Sequence, residues 1–405
     1  MFAACGNKID NGNQPGVNSG DQQHNTPPDN QGDQTSDAAW SGLDLGFIYD
    51  NGLEYIWERL DDRMKTNVAE IMNAIKNVSP ICNLTYGVPS DESNIFLTFI
   101  SNMCIDYTYL GAHFTFRDTD DDGYKDTVYF TFNDSIAYEQ DAWDITDELN
   151  AKLDEIVATV PAGTDWERVK YLHDYLVFST NYSEDARLPF TAYGALVERK
   201  ATCQGYADAM HLLLQRAGFE TVLVVGHGDS MAVTHKWNYV KLDDGQWYIL
   251  DPTWADPADK DDPDYINYDY FLISDEILLL DHLEKFESPY YETPVATSME
   301  KSYHHVMGYE CSTYEEAYAC VAEQVRNCAA EGKRYVYLRL PDMETVTECR
   351  QKFSVPEYGA ELQYILKDVN EETGSNLNTR SWQTYPSANS TSPQTIILIL
   401  KYADD

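Results

Sequence analysis

The chain alternates between segments whose apolar residues repeat every three or four positions and segments whose apolar residues alternate or run together. The first pattern is typical of amphipathic helices and the second of strands. Helices are predicted at residues 51–77, 143–157, 164–177, 203–217, 313–330 and 343–353. Strands are predicted at residues 94–100, 104–116, 127–132, 221–225, 235–242, 246–251, 335–340, 362–366 and 395–402. This mixture predicts an α+β protein.

Capping residues support several of these helix ends. Thr164 and Glu167 have the spacing of a capping box, and Thr146 and Thr202 are candidate N-caps. Gly332 follows the last periodic residue of the helix at 313–330, where a left-handed glycine commonly ends a helix. These signals predict helix boundaries independently of the apolar pattern.

The 405 residues are enough for two or three domains. Residues 6–38 are almost wholly polar and small, so we expect a flexible tail rather than a packed segment. The predicted organisation is a tether at 1–38, an α/β region at 39–160, a core at 161–290 and a small α/β domain at 300–405. The Asp- and Pro-rich residues 256–269 are predicted to form a solvated surface loop.

The charge excludes some partners. The formal net charge is −40, which repels nucleic acid and anionic lipid headgroups, so neither is expected as a partner. The sequence contains no run of eighteen apolar residues, so it predicts no membrane-spanning helix. Contact with a membrane is expected only through a lipid anchor.

The eight cysteines include no CxxC pair, which argues against a structural zinc site. Cys82 and Cys104 could form a bridge in an oxidising compartment, or they could be free buried thiols. Cys5 follows Phe2-Ala3-Ala4 and precedes the polar tether. This arrangement resembles the end of a bacterial lipoprotein signal, in which such a cysteine is lipidated. No basic or apolar segment precedes Phe2, so either the upstream part is missing or the match is accidental; the tether favours the former. We therefore expect an extracellular or envelope-tethered protein.

A candidate calcium loop lies between two predicted strands. Asp118, Asp120, Asp122 and Asp126, with Gly123, match the first nine positions of a DxDxDG loop, whose alternating oxygens suit Ca²⁺. The twelfth position is not the bidentate Glu of an EF-hand. The alternative, which we favour, is a solvated hairpin turn rich in Asp and Gly. If calcium binds, we expect it to brace the hairpin and to take no part in catalysis.

Cys203 is predicted to begin a helix that Gly218 ends. A thiol in the first turn of a helix lies at the positive end of the backbone dipoles, which favours the thiolate. The Cys203 backbone N–H could also donate a hydrogen bond to an oxyanion.

The segment 243–245, Asp-Asp-Gly, links two predicted strands and suits a three-residue hairpin loop. Pairing Leu242 with Gln246 makes His235 and Asp251 diagonal neighbours on one face, with about 7–8 Å between their Cα atoms. A two-residue loop would place them on opposite faces. The turn therefore predicts a contact between the His235 imidazole and the Asp251 carboxylate.

These three side chains have the chemistry of a cysteine acyl-transfer enzyme. Cys203 would be the nucleophile, His235 the general base and later the acid, and Asp251 the group that orients the imidazolium. A cysteine, histidine or aspartate alone at such a place is more often structural. The rival bases are His211, which is too far along the Cys203 helix, His227 in a turn, and His173 on what the pattern predicts to be the polar side of another helix.

The motifs around these residues resemble the transglutaminase-like superfamily of cysteine enzymes, over roughly residues 165–275. Bacterial members carry a Cys-x-Gly-Tyr-Ala helix start, a His-x-Trp-Asn-x-Val strand and a Trp-Tyr-x-x-Asp-Pro-Thr-Trp strand end. The matching segments are Cys203-Gln204-Gly205-Tyr206-Ala207, His235-Lys236-Trp237-Asn238-Tyr239-Val240 and Trp247 to Trp254. In papain the His lies about 130–150 residues after the Cys, so the spacing differs from that of papain itself.

The resemblance implies a papain-like α+β core with the triad Cys203, His235 and Asp251. It implies thioester chemistry on a protein or peptide amide, cell-wall peptide included, by a peptidase, a deamidase or a cross-linking transglutaminase. No cofactor is required for such catalysis. Tyr193 and Gln204 are weak candidates for a second oxyanion donor, and Trp237 is a candidate cleft residue. The alternative function is a catalytically silent binding or scaffold module of the cell surface.

Overall fold

The structure, a computed structural model, describes residues 45, 46, 48, 52–103, 113–132, 139–229, 234–256, 265–354, 359–385 and 394–403. The predicted tether, Cys5 and Cys104 lie outside these residues, as do most of the predicted acidic loop at 256–269 and the N-terminal part of the strand predicted at 104–116. The helices and strands below are numbered in chain order.

The N-terminal part packs helices against a three-stranded antiparallel sheet in the order β1-β3-β2. Its elements are α1 (Glu54–Trp57), α2 (Asp62–Lys76), β1 (Ile81–Pro89), α3 (Ser93–Met103), β2 (His113–Arg117), β3 (Tyr124–Thr131) and α4 (Glu139–Val157). The helix predicted at 51–77 is therefore two helices. The Asp61 carboxylate starts the second by accepting a hydrogen bond from the Met64 backbone N–H at 2.8 Å.

Two predictions in this part are wrong. The segment predicted as a strand at 94–100 is helix α3, because a short apolar run does not by itself distinguish a strand from a buried helix. Thr146 is not an N-cap, since it lies inside α4 and its hydroxyl donates to the Ala142 carbonyl at 3.0 Å. Strand β1 was not predicted.

The central part is built on a five-stranded antiparallel sheet in the order β10-β6-β7-β8-β9. Its strands are β6 (Glu220–His227), β7 (Thr234–Lys241), β8 (Trp247–Leu250), β9 (Phe271–Ile273) and β10 (Glu284–Lys285). Its helices are α5 (Asp165–Ser179), α6 (Cys203–Arg216), α7 (Pro252–Ala255), α8 (Asp275–Leu278) and α9 (Tyr303–Val306), with a short parallel pair β4 (Asn181–Tyr182) and β5 (Lys200–Ala201) before α6. The predicted capping box of Thr164 and Glu167 starts α5.

The hairpin of β7 and β8 has the predicted register. Asn238 pairs with Leu250 and Lys241 with Trp247, which is the alignment that pairing Leu242 with Gln246 requires. Gly245 has φ +76°, and its N–H donates to the Leu242 carbonyl at 2.9 Å. The turn therefore fixes which side chains of the two strands share a face.

The C-terminal part has its own three-stranded sheet, in the order β11-β13-β12. Its elements are α10 (Tyr314–Glu331), β11 (Tyr335–Arg339), α11 (Met343–Ser354), α12 (Leu362–Thr373), β12 (Leu377–Tyr385) and β13 (Thr395–Tyr402). The strand predicted at 362–366 is wrong, because residues Leu362, Ile365, Leu366 and Val369 are buried at helical spacing in α12. Strand β12 was not predicted.

The buried apolar residues form two clusters. One runs from Ile48 to Tyr303 and also includes Tyr337 and Ile397, and the other runs from Cys311 to Leu400. The mixture of helices and sheets confirms the α+β class, whereas the predicted domain boundaries stay a prediction. Within the described residues, we find no helix with the length and apolar character needed to cross a membrane.

Candidate active site

Cys203 is the first residue of α6, as predicted. Thr202 occupies the N-cap position, but its hydroxyl makes no capping bond and donates instead to the Pro189 carbonyl at 3.4 Å. Gly205 allows this helix start to pack closely, because a Cβ there would lie 2.7 Å from both the Ala201 Cβ and the Thr191 carbonyl oxygen. The glycine of the motif thus serves backbone packing at the candidate nucleophile.

The Cys203 side chain is 2% exposed, and its sulfur is part of a disulfide. A disulfide sulfur is not a nucleophile, so the thiolate becomes available only after reduction. Cys82 is a free thiol, so the bridge considered for it is not present. The other described cysteines, Cys311, Cys320, Cys328 and Cys349, are also free.

The His235 Nε2 atom lies 2.6 Å from the Asp251 Oδ2 atom, and both side chains are buried. Asp251 follows β8 and caps α7, where its Oδ1 atom accepts the backbone N–H groups of Thr253 and Trp254 at 3.0 and 3.1 Å. Burial opposes ionisation of this carboxyl group, but the two histidines that bond to it hold its pKa well below the usual range. A bond from Nε2 leaves Nδ1 of His235 available for a proton exchange with another group.

The second histidine is His282, which the sequence analysis did not single out. Its Nε2 atom lies 3.1 Å from the same Asp251 Oδ2 atom, and its Nδ1 atom lies 3.0 Å from Asp281 Oδ1. The Asp281 Oδ2 atom accepts a hydrogen bond from the Tyr270 hydroxyl at 2.6 Å. His282 lies outside a regular element and far along the chain from Asp251, so neither periodicity nor turn chemistry could have indicated it.

Two contacts tie the start of α6 to β7. The Lys236 Nζ atom lies 2.6 Å from Asp208 Oδ1 in a buried ion pair, and the Asn238 side-chain amide donates to the Ala207 carbonyl at 2.8 Å. Burial raises the pKa of Asp208 despite the nearby ammonium group. These contacts hold the helix that begins at Cys203 against the strand that begins beside His235.

Tyr182 connects the two halves of the candidate site. It lies in β4, where it pairs with Ala201, two residues before Cys203. The pKa of the Tyr182 hydroxyl is raised, because burial and the negative charges of Glu184 and Asp251 outweigh the opposing effect of a hydrogen bond from the Cys203 backbone N–H. The Tyr182 hydroxyl therefore interacts with both the Cys203 backbone N–H and the Asp251 carboxylate.

The structure places the three predicted cleft residues differently. The Tyr193 hydroxyl donates to Glu148 Oε2 at 2.7 Å, and its role as an oxyanion donor stays a prediction. The Gln204 side chain hydrogen-bonds to Asp208. Trp237 is fully buried, with its ring centre 5.9 Å from that of His235, and its role as a cleft residue stays a prediction.

Each rival histidine has a different environment. His173 is fully buried and its Nδ1 atom contacts Asp174 at 3.2 Å, so the prediction of a polar-side position is wrong. His211 is buried within α6. The His227 Nδ1 atom lies 3.0 Å from Glu284 Oε1. His235 is thus the predicted base that the structure brings to Asp251.

Among the residues that the structure describes, two clusters have ligand atoms close enough for a metal ion. The first is formed by His235, Asp251 and His282. In the first, both ring nitrogens of His282 face carboxylate oxygens of Asp251 and Asp281, so a ring protonated at both positions has no lone pair to offer a metal. The second is formed by Asp118, Asp120 and Asp122.

The predicted calcium loop is the hairpin turn between β2 and β3. The Asp118 carboxylate accepts the backbone N–H groups of Asp121, Asp122 and Gly123, at 2.6, 3.2 and 2.8 Å. The Asp126 Oδ2 atom accepts from the Thr119 hydroxyl at 2.6 Å. These bonds close the turn, and calcium binding stays a prediction.

Comparisons with known proteins find one family model and several solved structures that are similar to this chain. A family model described as the transglutaminase-like superfamily matches residues 151–252. The solved structures that are similar include a TGase, at 16% identity over 45% of this chain and 52% of that one, with a TM-score of 0.27. They also include the periplasmic domain of TgpA from Pseudomonas aeruginosa, at 17% identity over 35% of this chain and 62% of that one, with a TM-score of 0.22. The chain thus spans about half of the TGase.

A search of curated proteins finds no match. The assignment therefore depends on the family model and on the three motifs, of which the helix start, the His235 strand and most of the Asp251 segment lie within the matched residues. Residues 151–252 of this chain therefore match the model of the transglutaminase-like superfamily, and this segment is similar to members of that superfamily.

Proposed function

We propose that this protein is a cysteine enzyme that transfers acyl groups from amides through a thioester at Cys203. The observation that carries the proposal is the buried 2.6 Å bond between His235 Nε2 and Asp251 Oδ2, beside a helix that begins at Cys203. An aspartate that bonds one ring nitrogen orients the other and stabilises the imidazolium form. This is the arrangement that a cysteine nucleophile requires of its base.

In the proposed reaction, His235 takes the proton of the reduced Cys203 thiol, and the thiolate attacks the carbonyl carbon of the amide. A C–S bond forms, and the carbonyl oxygen becomes an oxyanion that the Cys203 backbone N–H can stabilise when the substrate replaces the Tyr182 hydroxyl as its acceptor. When the C–N bond breaks, the His235 imidazolium gives its proton to the leaving amine. Water or a second amine then attacks the thioester, gives its proton to His235 and releases Cys203.

We propose that the substrate is a protein or peptide amide, cell-wall peptide included, and that the protein acts at the bacterial cell envelope. The support for this location is the lipoprotein-like Cys5 followed by a polar tether. Fractionation of the cells that make this protein, with and without Cys5→Ser in the native gene, tests the anchor. Loss of the protein from the membrane fraction in the variant is expected, and equal distribution of the two forms would contradict the anchor.

The disulfide at Cys203 favours a second candidate, a binding module that does not turn over substrate. The two candidates differ in the chemistry of the reduced thiol. We therefore propose measuring alkylation of Cys203 by iodoacetamide against pH after reduction, in the wild type, in His235→Ala and in His227→Ala as a matched control. Peptide mapping must resolve the sites, because hydrogen bonds from Cys311 and Gln324 lower the pKa of Cys320 despite its partial burial.

The enzyme proposal expects Cys203 to react well below the pH at which ordinary thiols do. It expects the rate to fall by about tenfold or more in His235→Ala and to stay unchanged in His227→Ala. Thiolate ultraviolet absorbance, compared with Cys203→Ser, gives a second reading that does not depend on reagent access to this buried side chain. A reduced Cys203 with an ordinary pKa that is indifferent to His235 supports the binding module and overturns the enzyme.

If reduced Cys203 and His235 form a thiolate–imidazolium pair, the next test is turnover. The assay is release of ammonia from glutamine-containing peptides, with and without an amine acceptor. Loss of the nucleophile or the base in enzymes of this kind costs several orders of magnitude, so Cys203→Ala and His235→Ala should each fall at least about a thousandfold.

A further inference from the structure

A second imidazole shares the carboxylate that orients His235. The His282 Nε2 atom lies 3.1 Å from Asp251 Oδ2, the same oxygen that the His235 Nε2 atom approaches to 2.6 Å. The His282 Nδ1 atom lies 3.0 Å from Asp281 Oδ1. Because a carboxylate oxygen only accepts hydrogen bonds, both nitrogens of the His282 ring must donate, which requires the imidazolium form.

The surroundings of His282 favour its charge even though the side chain is fully buried. Burial opposes protonation, but the hydrogen bonds and charges of Asp251 and Asp281 outweigh it and raise the pKa of His282 to about 9. The Trp254 ring lies 4.1 Å and the Trp237 ring 5.4 Å from the His282 ring, centre to centre. Aromatic rings at such distances can stabilise a cation from which water has been removed.

Asp269, Arg339 and Tyr385 interact electrostatically with Asp281, and Tyr182 does so with Asp251. The titratable groups that are closest to the cluster come from three other elements. His235 projects from β7, Asp251 follows β8, and the Tyr270 hydroxyl, next to β9, donates to Asp281. The nearest basic group among them is His235, whose ring centre lies 5.5 Å from that of His282. A charge on one of these two imidazoles therefore acts directly on the protonation of the other.

We propose that His282 is a positioning residue, a buried imidazolium that holds the Asp251 carboxylate in place and limits the basicity of His235. This inference goes beyond the proposed function and rests on it, since it assigns His235 as the base. Asp251 alone would favour the His235 imidazolium. An imidazole that is already protonated at neutral pH cannot accept the proton of the Cys203 thiol. The His282 cation offsets part of that effect by like-charge repulsion.

The test replaces His282 with a residue that keeps one hydrogen bond and loses the charge. In His282→Gln, the side-chain amide can donate to Asp251 from near the position of the imidazole Nε2 atom, but it carries no charge. His227→Gln is the matched control, because His227 also contacts a carboxylate, that of Glu284, from the same sheet. Both variants are compared with the wild type in the reduced state.

Two readouts are needed. The first is the pH at which kcat/KM falls on the alkaline side, where loss of the His235 proton breaks the thiolate–imidazolium pair. The second is the NMR titration of the His235 imidazole in a Cys203→Ser background, which requires no turnover. With the ring centres 5.5 Å apart, both should move upward by about one to two pH units in His282→Gln. His227→Gln should leave both unchanged.

The outcomes separate this inference from the proposed function. An upward movement of the His235 titration without any amide turnover supports the tuning role and contradicts the enzyme. A His235 titration that stays in place in His282→Gln overturns the tuning role, even if activity falls, because a purely structural role would lower kcat without moving the titration. If His282→Gln does not fold, the wild-type His282 resonance decides, since the proposal requires it to remain protonated at pH 8 and is overturned if it titrates below pH 7.

Discussion

The charge on His282 should make the stability of the protein depend on pH in a specific window. The pKa of His282 is about 9 in the folded protein, against an ordinary value of 6.5. A group whose pKa is raised by folding contributes stability that is fully present below pH 6.5 and is lost as the pH rises through 9. A difference of this size corresponds to about 3 kcal/mol of unfolding free energy.

We expect this contribution to disappear in His282→Gln. The assay is urea unfolding followed by tryptophan fluorescence at several pH values, which suits this region because Trp237 and Trp254 both pack on the His282 ring. The free-energy difference between wild type and variant is the quantity to compare, since it cancels the contributions of groups whose titration the substitution leaves unchanged; the movement of the His235 titration, measured by NMR, is subtracted from it. It should shrink by about 3 kcal/mol between pH 6.5 and pH 9.5.

His227→Gln serves as the control, because His227 keeps its Glu284 contact away from Asp251. The difference in unfolding free energy between His227→Gln and the wild type should vary little between pH 6.5 and pH 9.5. A wild-type minus His282→Gln difference that stays constant from pH 6.5 to 9.5 would show that His282 is neutral in the folded protein and would refute the reasoning.

Three further predictions concern the ion pair at α6, the start of α6 and the hairpin between β2 and β3. Lys236→Met should lower the unfolding free energy, measured by urea unfolding, by about 3–5 kcal/mol, because it leaves the buried Asp208 carboxylate without its partner. The double variant with Asp208→Leu and Lys236→Met should recover most of that loss. Gly205→Ala should destabilise the protein by about 1–3 kcal/mol and slow alkylation of reduced Cys203, since the added methyl group meets backbone oxygens; unchanged stability and rate would mean that the helix start tolerates the shift. If the hairpin binds calcium, millimolar Ca²⁺ should raise the thermal midpoint of the wild type and leave Asp118→Asn unaffected, and identical midpoints with and without Ca²⁺ would favour the solvated turn.

Local rules accounted for the part of the candidate site that lies within one hairpin. A three-residue link ending in Gly245 has a limited choice of conformations, so the register of β7 and β8 followed from the turn, and with it the side-by-side placement of His235 and Asp251. Capping chemistry also acts over a few residues, which is why the helix start at Thr164 could be predicted.

The same local rules failed where a short apolar run could pack in two ways. The residues of α3 and the first turn of α12 are apolar enough for a buried strand, and only their neighbours in the fold select the helix. Thr146 and Thr202 likewise have the chemistry of caps, but the surrounding backbone uses their hydroxyl groups elsewhere.

The sequence by itself determined the superfamily motifs, the helix start at Cys203 and the pairing of His235 with Asp251, because each depends on interactions between residues that are neighbours in a helix, a turn or a hairpin. Only the tertiary structure decided that His282 joins Asp251, that Tyr182 lies beside the Cys203 backbone and that the Cys203 sulfur is in a disulfide. These contacts join segments whose separation along the chain sets no distance between them. Packing of the whole core brings them together, and no local pattern encodes it.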